Sequence, residues 1–479
     1  MTTVDTTMPE ISEVDIAAED PRRFASVLGE EQMTAMRAAI EAARVLLDGR
    51  TVWNVNSTAK GGGVAEMLAT LLPYACGAGV QTRWMVIGGD DEFFTITKRI
   101  HNRLHGAAGD GAGLDDDDRR HYEQVLAGQA EQLKDMMSTG DIAILHDPQT
   151  AGMAPLLADA GVSVIWRCHV GLDTPNQEAR DTWAFLLPYV RRADRCVFSR
   201  RAFAWEGLDE ERIRVVAPSI DPFSAKNYEM DHASVHAVLV SAGIIDDGDD
   251  TAAAYTRFDG GTARIEHRAT IVETSRVDRE TLLVVQVSRW DRLKDPLGVL
   301  DGFARGVTGA CDAHLILAGP SFAEVADDPE GREAYDEVER AWKALGEDVS
   351  ARIHLACLPM ADSEENAAMV NALQRRANVV VQKSLAEGFG LTVAEAMWKS
   401  RPVVASRIGG IQDQIEDGTS GILLDDPHDR DAFAAAVCSL LLDSERADRM
   451  GSEAHARVQR EFLGSRHLAQ YVEICAELV

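Results

Sequence analysis

For its size the chain is short of positive charge. Lys and Arg together number 48 against 78 Asp and Glu in 479 residues, a net charge of -30. That balance argues against nucleic-acid backbones or anionic membrane surfaces as main partners. Close cysteine pairs are lacking too. The seven cysteines stand singly at 76, 168, 196, 311, 357, 438 and 475, so neither a zinc site nor a disulfide framework is indicated, and reduced cytoplasm is the expected compartment. No apolar run approaches the roughly 18 residues of a membrane span, and the opening stretch MTTVDTTMPEISEVD has no basic region leading into an apolar one. A soluble, unexported protein is therefore expected. Walker A spacing and G-x-G-x-x-G are also missing.

What is present is length, apolar content and alternation. A chain of 479 residues that is 46% hydrophobic exceeds what one core usually organises, so two domains are expected. Short apolar runs at 51–56, 82–87, 141–145, 162–167, 195–198 and 213–216 read as strands separated by helical stretches. A second series follows at 282–287, 314–318, 352–356, 378–381, 402–405 and 421–424. Alternation of this kind predicts an α/β protein with parallel, doubly wound sheets. Ligands in such sheets gather at the carboxyl ends of the strands.

Several polar groups fall at those ends. The apolar run 378–381 leads through Glu387-Gly388-Phe389-Gly390 into a helix from Leu391 to Trp398. Strand, glycine turn and helix together aim backbone N–H groups at an anion. Glu387 and Glu395 flank that helix start and suit hydroxyl groups on either side of a phosphate. After the run at 282–287 come Arg289, Arg292 and Lys294, a basic cluster that stands out in so acidic a chain; Arg292 on its own reads as a solvated surface residue. In the first series, Ser57 to Gly63 (STAKGGG) reads either as a phosphate loop or as a tight turn. His146-Asp147 and Arg167-Cys168-His169 follow two further strands, although His146 alone reads as a satisfied core residue. The run LDDDD at 114–118 reads as helix capping rather than a metal site. The first 30 or so residues, rich in Asp, Glu and Pro, read as irregular until Glu30, and residues 241–261 as an acidic surface excursion between domains whose FDGG is a hairpin turn entering a strand in TARIEHRATIV.

These motifs carry a resemblance. EGFGLTVAE with its two glutamates, RWDRLK, and RPVVASRIGGIQDQIEDGTSGILL are similar to those of retaining glycosyltransferases of the GT-B fold, the family that includes glycogen and sucrose synthases. VNSTAKGGGVAEML, GGDDEFFTITKRIHNRLHG, IWRCHVGLDTPN, PSIDPFSAKN and AEGFGLTVAEAMWK resemble, within it, the trehalose glycosyltransferring synthases. The resemblance covers about residues 30 to 475. It implies two Rossmann-like domains facing across a cleft: 1–221, completed by a C-terminal helix at 462–479, for the acceptor, and 222–461 for the donor.

It further implies that Glu395 contacts the nucleotide ribose. Glu387 with Gly388, Phe389, Gly390, Leu391 and Thr392 would hold the donor sugar and phosphates, and Arg289 and Lys294 the diphosphate. Gly62 and Gly63 would lie beside the donor phosphate, His169 would touch the transferred glucose, and Asp147 and Arg167 would meet the acceptor. The expected reaction joins NDP-glucose and glucose into α,α-trehalose, with no metal and no cofactor beyond the co-substrate. No nucleic acid or membrane is expected as partner, and a homodimer is compatible with the sequence. A retaining trehalose phosphorylase and a non-catalytic sugar-nucleotide sensor are the alternatives. The chain departs from the group at 241–261 and in RLKDP, where a Lys-Gly pair is common.

Overall fold

The computed structural model describes residues 10–60, 62–246, 253–322 and 329–479. Two compact units divide the chain, Met1–Ser219 with Gly464–Val479, and Ile220–Leu463. Among the described residues each is built on one seven-stranded sheet.

In the first unit the strands are β1 (Ser12–Val14), β2 (Thr51–Asn56), β3 (Gln81–Val86), β4 (Ile142–His146), β5 (Ser163–Cys168), β6 (Arg195–Phe198) and β7 (Ile213–Val215). Their order is β1-β3-β2-β4-β5-β6-β7, parallel except for β1. Helices cover both faces, which is why the inner strands are apolar nearly throughout. Alternation in β5 makes the division visible. Val164, Trp166 and Cys168 enter the cluster around Trp53, Phe93 and Tyr122. Ile165 joins the opposite cluster with Ile144, Ile474 and Cys475, and Arg167 shares that second face by the two-residue period. The helix Gly464–Ala476 thus closes one face of a sheet whose last strand ends at Val215.

Two expectations need correction here. The first 30 residues are not irregular throughout, because Ser12–Val14 adds an antiparallel edge strand to β3. Three mostly exposed residues give no periodic signal; the pairing is supported by Glu13, which accepts from Arg83 Nε at 2.6 Å. Asp141 lies just outside β4 rather than opening it. Its carboxylate accepts from Thr51 N at 2.9 Å, Trp53 Nε1 at 2.9 Å and Ser138 N at 3.0 Å, so it ties the strand entrances together.

The second unit contains β8 (Ala254–Thr256), β9 (Thr262–Arg264), β10 (Thr270–Val272), β11 (Leu282–Val287), β12 (Ala313–Pro320), β13 (Ile353–Leu358), β14 (Val379–Gln382), β15 (Val403–Ser406) and β16 (Ile422–Leu424). Its sheet runs β10-β13-β12-β11-β14-β15-β16, parallel apart from β10. The hairpin expected near Phe258 is present as β8 and β9; residues 247–252 of the same excursion lie outside the described residues. The stretch after it is not one strand. Glu365 accepts the amides of Glu266 at 2.6 Å and His267 at 2.8 Å, which breaks the ladder and lets β10 pair elsewhere.

Candidate functional site

In the second unit β11 and β14 are neighbours, so the loops beyond their carboxyl ends meet. Leu385 N donates to Leu293 O at 2.7 Å, fastening one loop to the other. Lys294 closes a short 3-10 turn, Arg292–Lys294, in which Leu293 N donates to Asp291 Oδ1 at 2.8 Å. Its ammonium lies 2.6 Å from Glu387 Oε2, both side chains being mostly shielded at 17% and 12% exposure. Arg289 is placed differently. It is 68% exposed, and its guanidinium is 3.4 Å from Asp291. Arg292 pairs with Glu333 and Glu337 on the helix Pro329–Lys343, in keeping with its reading as a surface residue.

The RLKDP departure has a physical resolution. Asp295 adopts φ 51, ψ 46, a left-handed conformation that glycine takes freely and Asp tolerates better than most residues. Its carboxylate caps Gly298 N at 3.1 Å and pairs with the buried Lys383. The turn after Lys294 is therefore held by side chains.

Gly390 is left-handed at φ 83 and opens the helix Leu391–Trp398. The turn Glu387 to Gly390 is backed by Gly409 and Gly410. A Cβ on Gly409 would stand 1.8 Å from Glu387 O, and one on Gly410 2.8 Å from Gly388 O. Gly410 N donates to Gly388 O at 3.0 Å, and Gln414 Nε2 to Phe389 O at 2.5 Å. Phe389 is buried against Phe462. Thr392 Oγ1 donates to Gln382 Oε1 at 3.2 Å. The first amides of Leu391 and Thr392 have no partner within the helix, as at any helix start.

Glu395 is 2% exposed, with Oε1 3.6 Å from Lys226 Nζ. Beneath it Lys399 Nζ donates to Asn227 Oδ1 at 3.0 Å and to the Glu395 carbonyl at 3.1 Å. Burial lowers the pKa of Lys399, with the nearby Glu395 charge pulling the other way. Glu395 is thus a carboxylate set between lysines, not a solvated helix residue.

In the first unit β2, β4 and β5 are adjacent, so their carboxyl ends bring three segments together. Gly62, at φ 83, and Gly63 begin the helix Gly63–Gly77; Gly61 lies outside the described residues. His146 at the end of β4 bridges two partners. Its Nε2 is 3.2 Å from Asn54 Oδ1 and its Nδ1 3.2 Å from His169 Nε2, the two rings stacked at 5.5 Å. Burial, with the Arg167 charge adding to it, takes His146 down to about 3 and His169 well below its ordinary value, so both imidazoles are neutral near pH 7.

Asp147 stands at φ 63, in the same left-handed range as Asp295. Its Oδ1 accepts the His169 amide at 2.7 Å. Crowding by protein raises its pKa to about 6, against the opposing pull of that amide and of Arg167. Arg167 is fully buried. One Nη donates to Ser199 Oγ at 3.3 Å, while Nε and Nη1 have no hydrogen-bond partner among the described residues.

Reading the sequence for strand ends missed Asn54, which lies inside a strand, and His467 and Tyr471, which arrive from the chain's far end. It also passed over Lys226 and Lys399. Both lie in quoted motifs, PSIDPFSAKN and AEAMWK, and a basic residue flanked by motif residues was the available signal. Among the described residues no group of three or more His, Cys, Asp or Glu is arranged to hold a metal ion. Nor is any described helix long and apolar enough to cross a membrane.

Comparison with known proteins agrees with this layout. Residues 54–205 match the family described as "Trehalose synthase, N-terminal domain", and residues 268–457 match "Glycosyl transferases group 1". Trehalose synthase of Pyrococcus horikoshii is 32% identical over 473 residues, 98% of this chain and 99% of that protein. Trehalose synthase of Rubrobacter xylanophilus is 36% identical over 435 residues, 90% and 92% of the two chains. Among solved structures, Anabaena Alr3699/HepE in complex with UDP and glucose superposes with a TM-score of 0.61 at 16% identity, covering 89% of this chain and 100% of that one. The fold is GT-B, with two Rossmann-like units.

Proposed function

Because the chain belongs to the trehalose synthase family of group 1 glycosyltransferases, we propose that it transfers glucose from an NDP-glucose to a second glucose. The products are α,α-trehalose and free NDP, with the donor's α configuration kept. The observation that carries this reading is the Lys294–Glu387 pair, 2.6 Å apart beside a glycine turn that opens the helix Leu391–Trp398.

Glycosyl transfer passes through an oxocarbenium-like state while negative charge grows on the departing diphosphate. Lys294, Arg289 and the amides of Leu391 and Thr392 supply the opposing charge in this proposal, and Glu387 holds the ammonium in place. No metal is called on. Gly62 and Gly63 lie beside the donor phosphate, and Glu395 accepts hydrogen bonds from the ribose. The bond from the sugar's anomeric carbon to phosphate oxygen breaks, the bond to the acceptor oxygen forms on the same face, and the acceptor's proton leaves on the phosphate. His169, fixed through its amide by Asp147, orients the transferred glucose. Asp147 and Arg167 meet the acceptor. A cytoplasmic site of action belongs to the same reading.

The test is a donor screen. UDP-, ADP- and GDP-glucose are each incubated with glucose, and trehalose and NDP are quantified. At least one donor gives both products in equal amount. In reverse, trehalose with the matching NDP yields NDP-glucose, while trehalose with inorganic phosphate yields no glucose 1-phosphate. Phosphorolysis instead would identify a phosphorylase. Tight donor binding with no NDP release for any acceptor would identify a sensor.

A further inference from the structure

Asn54 lies inside β2 and His146 ends β4, its neighbour in the sheet, and both side chains are buried. Asn54 Oδ1 is 3.2 Å from His146 Nε2, and His146 Nδ1 is 3.2 Å from His169 Nε2, with the two rings within 16° of parallel. The three side chains form one hydrogen-bonded row across β2, β4 and the residue that follows β5. Of the three, only His169 is partly exposed. Its backbone is fixed as well, through the amide that Asp147 accepts at 2.7 Å. The Arg167 charge acts on both rings and, with burial, keeps them neutral. His467, whose Nδ1 is 3.1 Å from Ser219 Oγ, is a third neutral ring of the group.

We propose that Asn54 and His146 are positioning residues that fix His169 as its Nε2–H tautomer, leaving His169 Nδ1 to accept a hydrogen bond from a hydroxyl of the transferred sugar. A neutral imidazole carries one N–H and one lone pair, so each bond in the row dictates the next. Asn54 Oδ1 can only accept, which puts the His146 proton on Nε2. His146 Nδ1 then offers a lone pair, and the proton between the rings belongs to His169 Nε2. What remains on His169 is an Nδ1 without a proton. The opposite polarity requires the Asn54 amide turned end for end and holds both rings as Nδ1–H, the tautomer that a free neutral histidine disfavours. The row as it stands holds both in the favoured one.

An Nδ1 of this kind selects among sugars. A hydroxyl can donate to it, whereas hydrogen or fluorine at the same carbon cannot. That selectivity rests on the proposed placing of the transferred glucose against His169; the tautomer does not.

The experiment takes the full chain with nitrogen-15 in its histidine rings and reads the tautomers at pH 7 by two-bond proton–nitrogen NMR. Signals are assigned by their loss in His146→Gln and in His169→Gln. Both rings appear as Nε2–H in the wild-type chain, and Asn54→Leu lets His169 exchange between its two neutral tautomers. A wild-type His169 that is charged or carries its proton on Nδ1 overturns the proposal, as does a His169 signal unmoved in a folded Asn54→Leu. The wild-type spectrum decides if that variant fails to fold. A second arm compares NDP-glucose donors in which one sugar hydroxyl at a time is replaced by hydrogen or by fluorine. Each rate is taken relative to His169→Ala, so that the electronic effect of fluorine cancels. At one position both replacements cost about tenfold, the worth of one hydrogen bond. A fluorine that keeps the rate where hydrogen loses it makes His169 a donor and overturns the proposal. If no NDP-glucose is turned over at all, the transferase reading fails, while the tautomer is still decided by the spectrum.

Discussion

Lys294 Nζ lies 2.6 Å from Glu387 Oε2, across two loops that leave neighbouring strands. The pair is a preorganised charge, fixed before a substrate arrives. Removing such a partner from a developing anion costs about 2.7 to 4 kcal/mol of barrier. Lys294→Ala is expected to lower kcat at saturating donor by roughly a hundredfold or more. The double variant Lys294→Ala with Glu387→Ala should lose less than the sum of the singles, because the lone Glu387 carboxylate repels phosphate. Steady-state kinetics on all three variants checks both statements, and near-normal turnover in Lys294→Ala removes it from the mechanism.

Glu395 makes a different demand. A buried carboxylate 3.6 Å from Lys226 that accepts from ribose hydroxyls acts on binding rather than on the transition state. Glu395→Ala should raise the donor KM with a smaller effect on kcat. Calorimetric titration with NDP reads the loss directly. Unchanged NDP affinity would contradict the ribose role.

Gly409 tests the turn without touching a charged group. Its φ is 45, and an added Cβ would meet Glu387 O at 1.8 Å. Gly409→Ala should therefore displace the Glu387 to Gly390 turn, weakening donor binding and costing about 1 to 3 kcal/mol of stability. Thermal melting with and without NDP measures both effects. A variant with wild-type melting and wild-type NDP binding would show that the close packing is not needed.

Much of this was legible beforehand, and for a stated reason. Strands β2, β6 and β11 and the helix Leu391–Trp398 are strongly patterned and bounded by turn residues, so local sequence suffices for them. The Glu387 to Gly390 turn was visible because glycine spacing after a buried strand has few other uses. Less was visible where a contact closes over distance. His467 and Tyr471 come from a helix beginning at Gly464, and nothing near Asn54 or His146 in sequence announces them. The three-residue strand β1 is too short and polar to show a period. Asp295 looked wrong for its turn because its compensation, the buried Lys383, lies 88 residues away.

Asp147 gives the chain a pH signature. Its carboxyl titrates near 6 in the folded chain against an ordinary 3.8. Between those values the folded state holds a proton that the unfolded chain has lost, so this group's contribution to stability falls as pH rises from about 4 to about 6. Activity runs the other way, since the ionised form is the one that holds the His169 amide most strongly. Turnover should fall as pH drops through about 6, and Asp147→Asn should lose that acid limb along with part of its rate. A kcat profile from pH 4.5 to 8.5 checks it, and a limb retained in Asp147→Asn would assign it to another group.

The most direct test of the account is a crystal structure of the chain with an intact sugar nucleotide bound. The diphosphate should lie within hydrogen-bonding distance of Lys294 Nζ and of the Leu391 and Thr392 amides, with the ribose hydroxyls on Glu395. A diphosphate bound elsewhere, with Lys294 still closed onto Glu387, would contradict it.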